Sequence, residues 1–217
     1  MKRLFIVVEG QTEEEFVNVL LGPYLETFGI YDVRATKITT SKGYKGGFVN
    51  YQHLKNDVTR LLKQSSNDVI VTTFVDLFKL PENVPNYATI SKKFTKKNSV
   101  DEFEKAIAKD IDNHRFVPYI QMHEFEALLF SSTKGFSTYY ENEKSVVKGV
   151  IKIMDEFSNP EDINSNKPPS YRIKELTPNY DKINYGNTMA LEIGIATIIK
   201  KCPRFKSWVQ ELIVKCK

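Results

Sequence analysis

Three acidic positions stand at the ends of apolar, β-branched runs in this chain. Glu9 follows Leu4–Val8, Asp76 follows Val69–Val75 (VIVTTFV), and His123-Glu124 follow Phe116–Met122. If those runs are parallel strands of one sheet, their ends share one edge, where open α/β sheets take ligands. Acids far apart in sequence would then meet. Like charges a few ångströms apart must share a cation or keep a proton. An oxygen-rich donor set, with three histidines in the chain and both cysteines remote at Cys202 and Cys216, suits Mg²⁺ or Mn²⁺ better than Zn²⁺. Carboxylate-held Mg²⁺ chiefly serves phosphate chemistry. Any one of these acids taken alone reads more simply as a solvated residue or a helix cap. Their joint placement is what points to a centre.

Other side chains could join it. Glu13 lies one helical turn beyond Glu9, and either points back at the same site or complements the helix dipole. His123 is a candidate proton donor or phosphate contact, or else a satisfied hydrogen-bonding residue at an element boundary. Glu124 and Glu126 diverge by about 200° if 123–130 is helical. That divergence favours Glu124 as the ligand and turns Glu126 toward a neighbouring partner. The loop Ser41–Gly47 offers Lys42, Lys45 and glycine amides that could hold a phosphate, or is an ordinary surface loop. It has no GxxxxGK[ST] pattern, so a Walker A role is unsupported. Lys92, Lys93, Lys96 and Lys97 surround Phe94, and the tail 200–217 sets six lysines and arginines against Glu211. Both stretches could follow a nucleic-acid backbone, although a charge run is usually a solvated face.

The elements that must position these groups alternate. The run Leu4–Val8 reads as a buried strand, and Thr12 with Glu15 has capping-box spacing for the helix that follows. Gly29 marks a stop for that helix, and Val33–Ile38 is a second strand. Residues 50–65 carry a helical stripe of Leu54, Val58, Leu61 and Leu62. The strand Val69–Val75 leads into a long loop over 77–98, then a helix over 100–113. Phe116–Met122 is a fourth strand, made edge-like or irregular by Pro118. Strand–helix alternation predicts an α/β domain over 1–135 with a mainly parallel four-stranded sheet flanked by helices. From about 136 to 217 the pattern is a helical C-terminal region packed on that core, broken by the polar stretch 158–169.

The chain has 217 residues, 41% hydrophobic and 27% charged, which fits a globular fold and excludes a disordered one. Its net charge of +4 permits an anionic partner without demanding one. No apolar run approaches the roughly 18 residues of a spanning helix, so no membrane partner is expected. LFIVV is too short for a secretory signal, and two late cysteines form neither a disulfide framework nor a zinc pattern. A reduced, cytoplasmic setting is the simplest expectation.

The segments VEGQTEEEF, FVDLFKLP, HEFEALLFS, PSYRI and CPRFKSW resemble a bacterial family of unknown function with a Toprim-like core, over Arg3 to Trp208. Such a core is shared with nucleases of the OLD type. Members of the family often stand beside AAA-type ATPases, in the manner of RloB and abortive-infection proteins. The resemblance implies Glu9 as general base or metal ligand, Gly10 as the residue that lets the chain turn sharply, and Asp76 as a metal ligand. Phe78 stands where the second aspartate of the Asp-x-Asp motif belongs, and an aromatic ring cannot bind Mg²⁺. Glu124 or Glu126 would have to replace that ligand. Ser170, Arg172 and Lys182, from PSYRI and the nearby YDK segment, would place cations beside a phosphate leaving group, or would fasten the C-terminal region. The implied function is divalent-metal-dependent cleavage of DNA or RNA phosphodiesters in bacterial defence. In this reading Glu9, Asp76, Glu124 and His123 are catalytic, and Glu9, Asp76, Glu124 and Glu13 hold Mg²⁺ or Mn²⁺. The competing readings are a catalytically inactive Toprim-derived adaptor for an AAA-type ATPase, and a module that binds nucleotide or phosphate without cutting.

Overall fold

The computed structural model describes residues 2–41, 44–63, 68–92, 98–163 and 167–217. Lys42 and Lys93, Phe94, Lys96 and Lys97 lie outside them. Strand β1 (Arg3–Val8) leads into helix α1 (Gln11–Phe16), a π-helical turn over Val17–Leu21, and α2 (Gly22–Glu26). Strand β2 (Val33–Lys37) follows, then the short strands β3 (Thr39–Ser41) and β4 (Tyr44–Lys45), and α3 (Tyr51–Lys63). Strand β5 (Val69–Asp76), the short helix α4 (Tyr87–Ser91) and α5 (Asn98–Ile111) precede the small strands β6 (Phe116–Val117) and β7 (Ile120–Gln121). A 3₁₀ helix over Phe125–Ser131 then opens the series α6 (Lys134–Tyr139), α7 (Lys144–Asp155), α8 (Pro169–Leu176), α9 (Asn187–Ile193), α10 (Ile195–Lys201) and α11 (Pro203–Cys216).

The main sheet runs β2-β1-β5-β6, with β7 also on β5, and every pairing is parallel. It therefore has five strands where four were expected, because the fourth run divides at Pro118. Proline has no N–H for the ladder. Threonine hydroxyls of β5 fill the gap: Thr72 Oγ1 donates to Val117 O (2.6 Å), and Thr73 Oγ1 donates to Tyr119 O (2.9 Å) while accepting from Tyr119 N (2.8 Å). A separate two-stranded ribbon joins β3 and β4. The expected loop over 77–98 contains α4.

Alternation along the strands feeds two cores. Leu4, Ile6 and Val8 of β1, with Ile70 and Phe74 of β5, face α1 and the C-terminal helices. Val7, Val69, Val71 and Val75 face α3 and α5. Both faces are covered, as a parallel sheet requires.

The capping-box expectation at Thr12 does not hold. Helix α1 starts one residue earlier, with Gly10 at the N-cap and no side-chain cap, and Thr12 is buried inside the first turn. The sharp turn expected at Gly10 is also absent. Its backbone is extended (φ −145°, ψ −170°), a conformation open to any residue. The glycine answers a different demand, since a Cβ there would lie 3.1 Å from Glu13 Oε2.

Candidate functional site: an acidic centre closed by a lysine

The carboxyl ends of β1, β5 and β7 lie side by side, and Glu9 and Asp76 meet there. Glu9 Oε2 accepts a hydrogen bond from Asp76 N at 3.2 Å. Glu13 reaches the same place from the first turn of α1, because that helix begins directly after Gly10. The fourth acid is Glu126, from the first turn of the 3₁₀ helix. All but Glu9 converge on one cation. Lys182 Nζ is 2.9 Å from Glu13 Oε1, 3.5 Å from Asp76 Oδ2 and 3.7 Å from Glu126 Oε2. The ammonium also lies 5.5 Å from the centre of the Phe125 ring, a cation–π contact. Asp181 caps the π-helical turn Lys182–Gly186 by accepting from Asn184 N at 2.9 Å, and that cap fixes where the lysine begins.

Electrostatics follow from four carboxylates around one ammonium. Burial pushes Asp76 well above the usual carboxylate range; Lys182 opposes this, and Glu13, Glu9 and Glu126 add to it. Burial also raises Glu9, with Glu13 reinforcing, against the Asp76 N–H and Lys182. Glu126 is raised chiefly by burial. Burial alone would lower Lys182, but Asp76, then Glu126 and Glu13, hold it above its ordinary value.

Glu124 takes a different partner. It is the extended residue before the 3₁₀ helix, and its Oε2 accepts Ser170 N at 3.0 Å, tying the start of α8 to the sheet edge. The divergence expected of Glu124 and Glu126 is therefore present, and it is Glu126 that faces Lys182. His123 sits in the left-handed region (φ 64°), and burial lowers its pKa. Its carbonyl accepts Phe78 N at 2.8 Å. Arg172 stands among C-terminal groups: its Nε donates to Lys167 O (3.0 Å), its Nη1 is 3.3 Å from Glu156, and its guanidinium covers Phe157. In the glycine loop, Gly46 N donates to Ile38 O and Gly47 N to Glu9 O, so these two amides brace the sheet edge. Of Lys45, only its backbone in β4 is described.

Sequence reasoning did not place Tyr180 in this neighbourhood. It is buried, its hydroxyl has no hydrogen-bond partner among the described residues, and Glu126 and Lys182 act on it electrostatically. Its position two residues before Lys182 was the available signal.

Carboxylate oxygens are the donor type that hard divalent cations take. Every donor is a carboxylate oxygen, one ammonium contacts three of the four acids, and Asp76 Oδ1 is buried without a hydrogen-bond partner among the described residues. As the side chains stand, no group of three or more His, Cys, Asp or Glu among the described residues is arranged around a common metal position. Lys182 occupies the middle of the acids instead.

Fold and site together define a mixed α/β protein, with a mainly parallel sheet flanked by helices and an acidic centre at the carboxyl edge. The chain belongs to the family described as a domain of unknown function, DUF4276, whose model matches residues 8–213. None of the curated proteins shows significant similarity to it. Similar solved structures include the C-terminal region of the OLD protein of Xanthomonas campestris pv. campestris. In its platinum-phased form this has 14% identity and a TM-score of 0.46, with 98% of this chain and 94% of that one covered. The mercury-phased form gives 14% and 0.44, with 99% and 97% covered. Among the described residues no helix is long and apolar enough to cross a membrane.

Proposed function

We propose that this protein is a divalent-metal-dependent nuclease that hydrolyses nucleic-acid phosphodiesters. The observation that carries the reading is the meeting of Glu9, Glu13, Asp76 and Glu126 at the carboxyl edge of a parallel sheet, around one lysine. Glu9, Asp76, Glu13 and Glu124 would hold Mg²⁺ or Mn²⁺, Glu124 being the one also tied to Ser170 N. Such an ion, when bound, supplies positive charge beside the phosphate. Glu9 does the proton work. Held in place by the Asp76 N–H on its Oε2, its carboxylate accepts a proton from the attacking water. As the water oxygen bonds to phosphorus, the phosphorus–oxygen bond to the departing sugar breaks, and that sugar oxygen takes up a proton from solvent. Lys182 keeps its charge throughout and offsets that of Glu13, Asp76 and Glu126. The Toprim comparison, the setting in phage defence and the pairing with an AAA-type ATPase rest on the sequence resemblance.

Glu9→Gln keeps the side chain's shape and removes its proton-accepting form. Mn²⁺-dependent nicking of plasmid or RNA is expected to fall by about 10²-fold or more. Nicking at the wild-type rate would remove Glu9 from the mechanism.

A second reading has its own support. Lys182 already neutralises part of the acidic centre, and Phe78 replaces an expected ligand, as in a Toprim-derived adaptor that no longer cuts. Calorimetric titration with Mn²⁺ separates the two. Binding that disappears in Asp76→Asn supports the nuclease, and no binding supports the adaptor.

A further inference from the structure

A cavity of about 340 Å³ opens on the segment that follows Asp76, within the roughly 300–1,000 Å³ of typical ligand sites. It is built from the residues that immediately follow Asp76 and precede Glu124. Buried Leu77, Leu80 and Phe103, half-buried Tyr87 and His123, and exposed Phe78 line it. The Phe78 N–H to His123 carbonyl bond closes its rim. Phe78 Cα is two residues from that of Asp76, so at most about 7 Å of backbone separates this part of the cavity wall from Asp76.

Three features of this rim are unusual for a merely structural loop. Phe78 is 41% exposed, although hydrophobic neighbours are at hand to cover it. Lys79 places its ammonium 5.3 Å from the Phe78 ring centre. Lys79 and His123 both hold left-handed backbone (φ 60° and 64°), which non-glycine residues adopt at a cost and which clusters at functional sites. The rim therefore combines an accessible aromatic face, a cation above it and a strained, defined shape.

We propose that this cavity receives a nucleobase of a single-stranded nucleic acid, stacked on Phe78, with Lys79 against the adjoining phosphate. The inference rests on the nuclease reading for its choice of ligand and adds the strand form to it. An apolar, aromatic slot takes a base only when the base has left its duplex. Phe78 then has a function at the position where the sequence pattern calls for an acid. Stacking is indifferent to sugar, so single-stranded DNA and RNA share the chemistry.

The test is fluorescence anisotropy with the full chain and short labelled oligonucleotides, in Ca²⁺ to hold back cleavage. Single-stranded DNA, single-stranded RNA, the corresponding duplex and an abasic strand are compared. At least one single strand is expected to bind about ten-fold or more tightly than the duplex and the abasic strand. Phe78→Ala should weaken that binding about ten-fold, and Phe78→Tyr should restore it. Phe78 is exposed, so its variants should keep the wild-type circular dichroism and melting temperature. Equal binding of the abasic strand, unchanged binding by Phe78→Ala, or no binding of any strand overturns the proposal. Nicking in Mn²⁺ is scored separately. Phe78-dependent binding without nicking supports the base site while refuting the nuclease, whereas nicking with Phe78-independent binding refutes the base site alone.

Discussion

Lys182 contributes more to the acidic centre than any single carboxylate, because without it Glu13, Asp76 and Glu126 face one another uncompensated. Removing one partner of a fully buried ionic group costs about 3–5 kcal/mol. The Lys182 side chain is 32% exposed, so solvent screening reduces the expected loss for Lys182→Met to about 1–3 kcal/mol at pH 8. The sign with pH follows from the acids. Asp76, Glu9 and Glu126 have folded-state pKa values above their unfolded ones, so their contribution to stability is full below the unfolded values near about 4 and is lost as pH rises through the folded ones. Loss of the lysine raises them further. The melting-temperature deficit of Lys182→Met should therefore be small at pH 5 and large at pH 8. An equal deficit at both would show that the lysine acts by packing and not by charge. At this scale the acids at strand ends were legible as types and spacings, but their partners were not. Glu126 meets Lys182 across 55 residues of intervening chain, and no local pattern encodes that contact.

Among the elements, helices α3 and α5 and strands β1 and β5 follow from periodicity, since each buries one stripe or both faces. Ends and interruptions were harder to read. Helix α1 starts after Gly10, with no side-chain cap and with Thr12 inside its first turn. The fourth strand survives Pro118 only through the hydroxyls of Thr72 and Thr73. Helix α11 begins with Cys202 at its N-cap and no cap from its own side chain. Glu161, fully buried, takes that role from a distance: its two oxygens accept Arg204 N (2.8 Å) and Phe205 N (2.9 Å). A carboxylate at a helix N-terminus gains from both the free amides and the dipole. Glu161→Ala should lower stability by about 1–3 kcal/mol through the orphaned amides. Urea denaturation would measure it, and a change within error would mean that water replaces the carboxylate.

For the molecule as a whole, many contacts run between residues 1–135 and the helical region 136–217. Phe16 of α1 and Phe74 of β5 pack against Phe205, and Tyr119 stacks on Trp208 at 4.3 Å. Trp208 Nε1 donates to Thr72 Oγ1 at 2.8 Å, and Arg204 bridges Asp101 and Glu104 of α5. The acidic centre itself takes Lys182 from the C-terminal part. We therefore propose that residues 1–135 lack half of one of their two cores. Expressed alone they should show no cooperative thermal transition, and their amides should exchange rapidly. A sharp transition would establish an independent domain.

Strand-end acids, the order of strands and helices, and burial of both sheet faces are properties of local composition. The chain determines them by itself, because backbone geometry turns a two- or 3.6-residue period directly into a face. Which acids share a cation, which one is taken by Ser170 N–H, and how Phe78, Phe103 and His123 come to line one cavity were decided only by tertiary structure. Those outcomes depend on distances of a few ångströms between remote segments. Electrostatic energy varies as the inverse of such distances, and sequence spacing carries no measure of them.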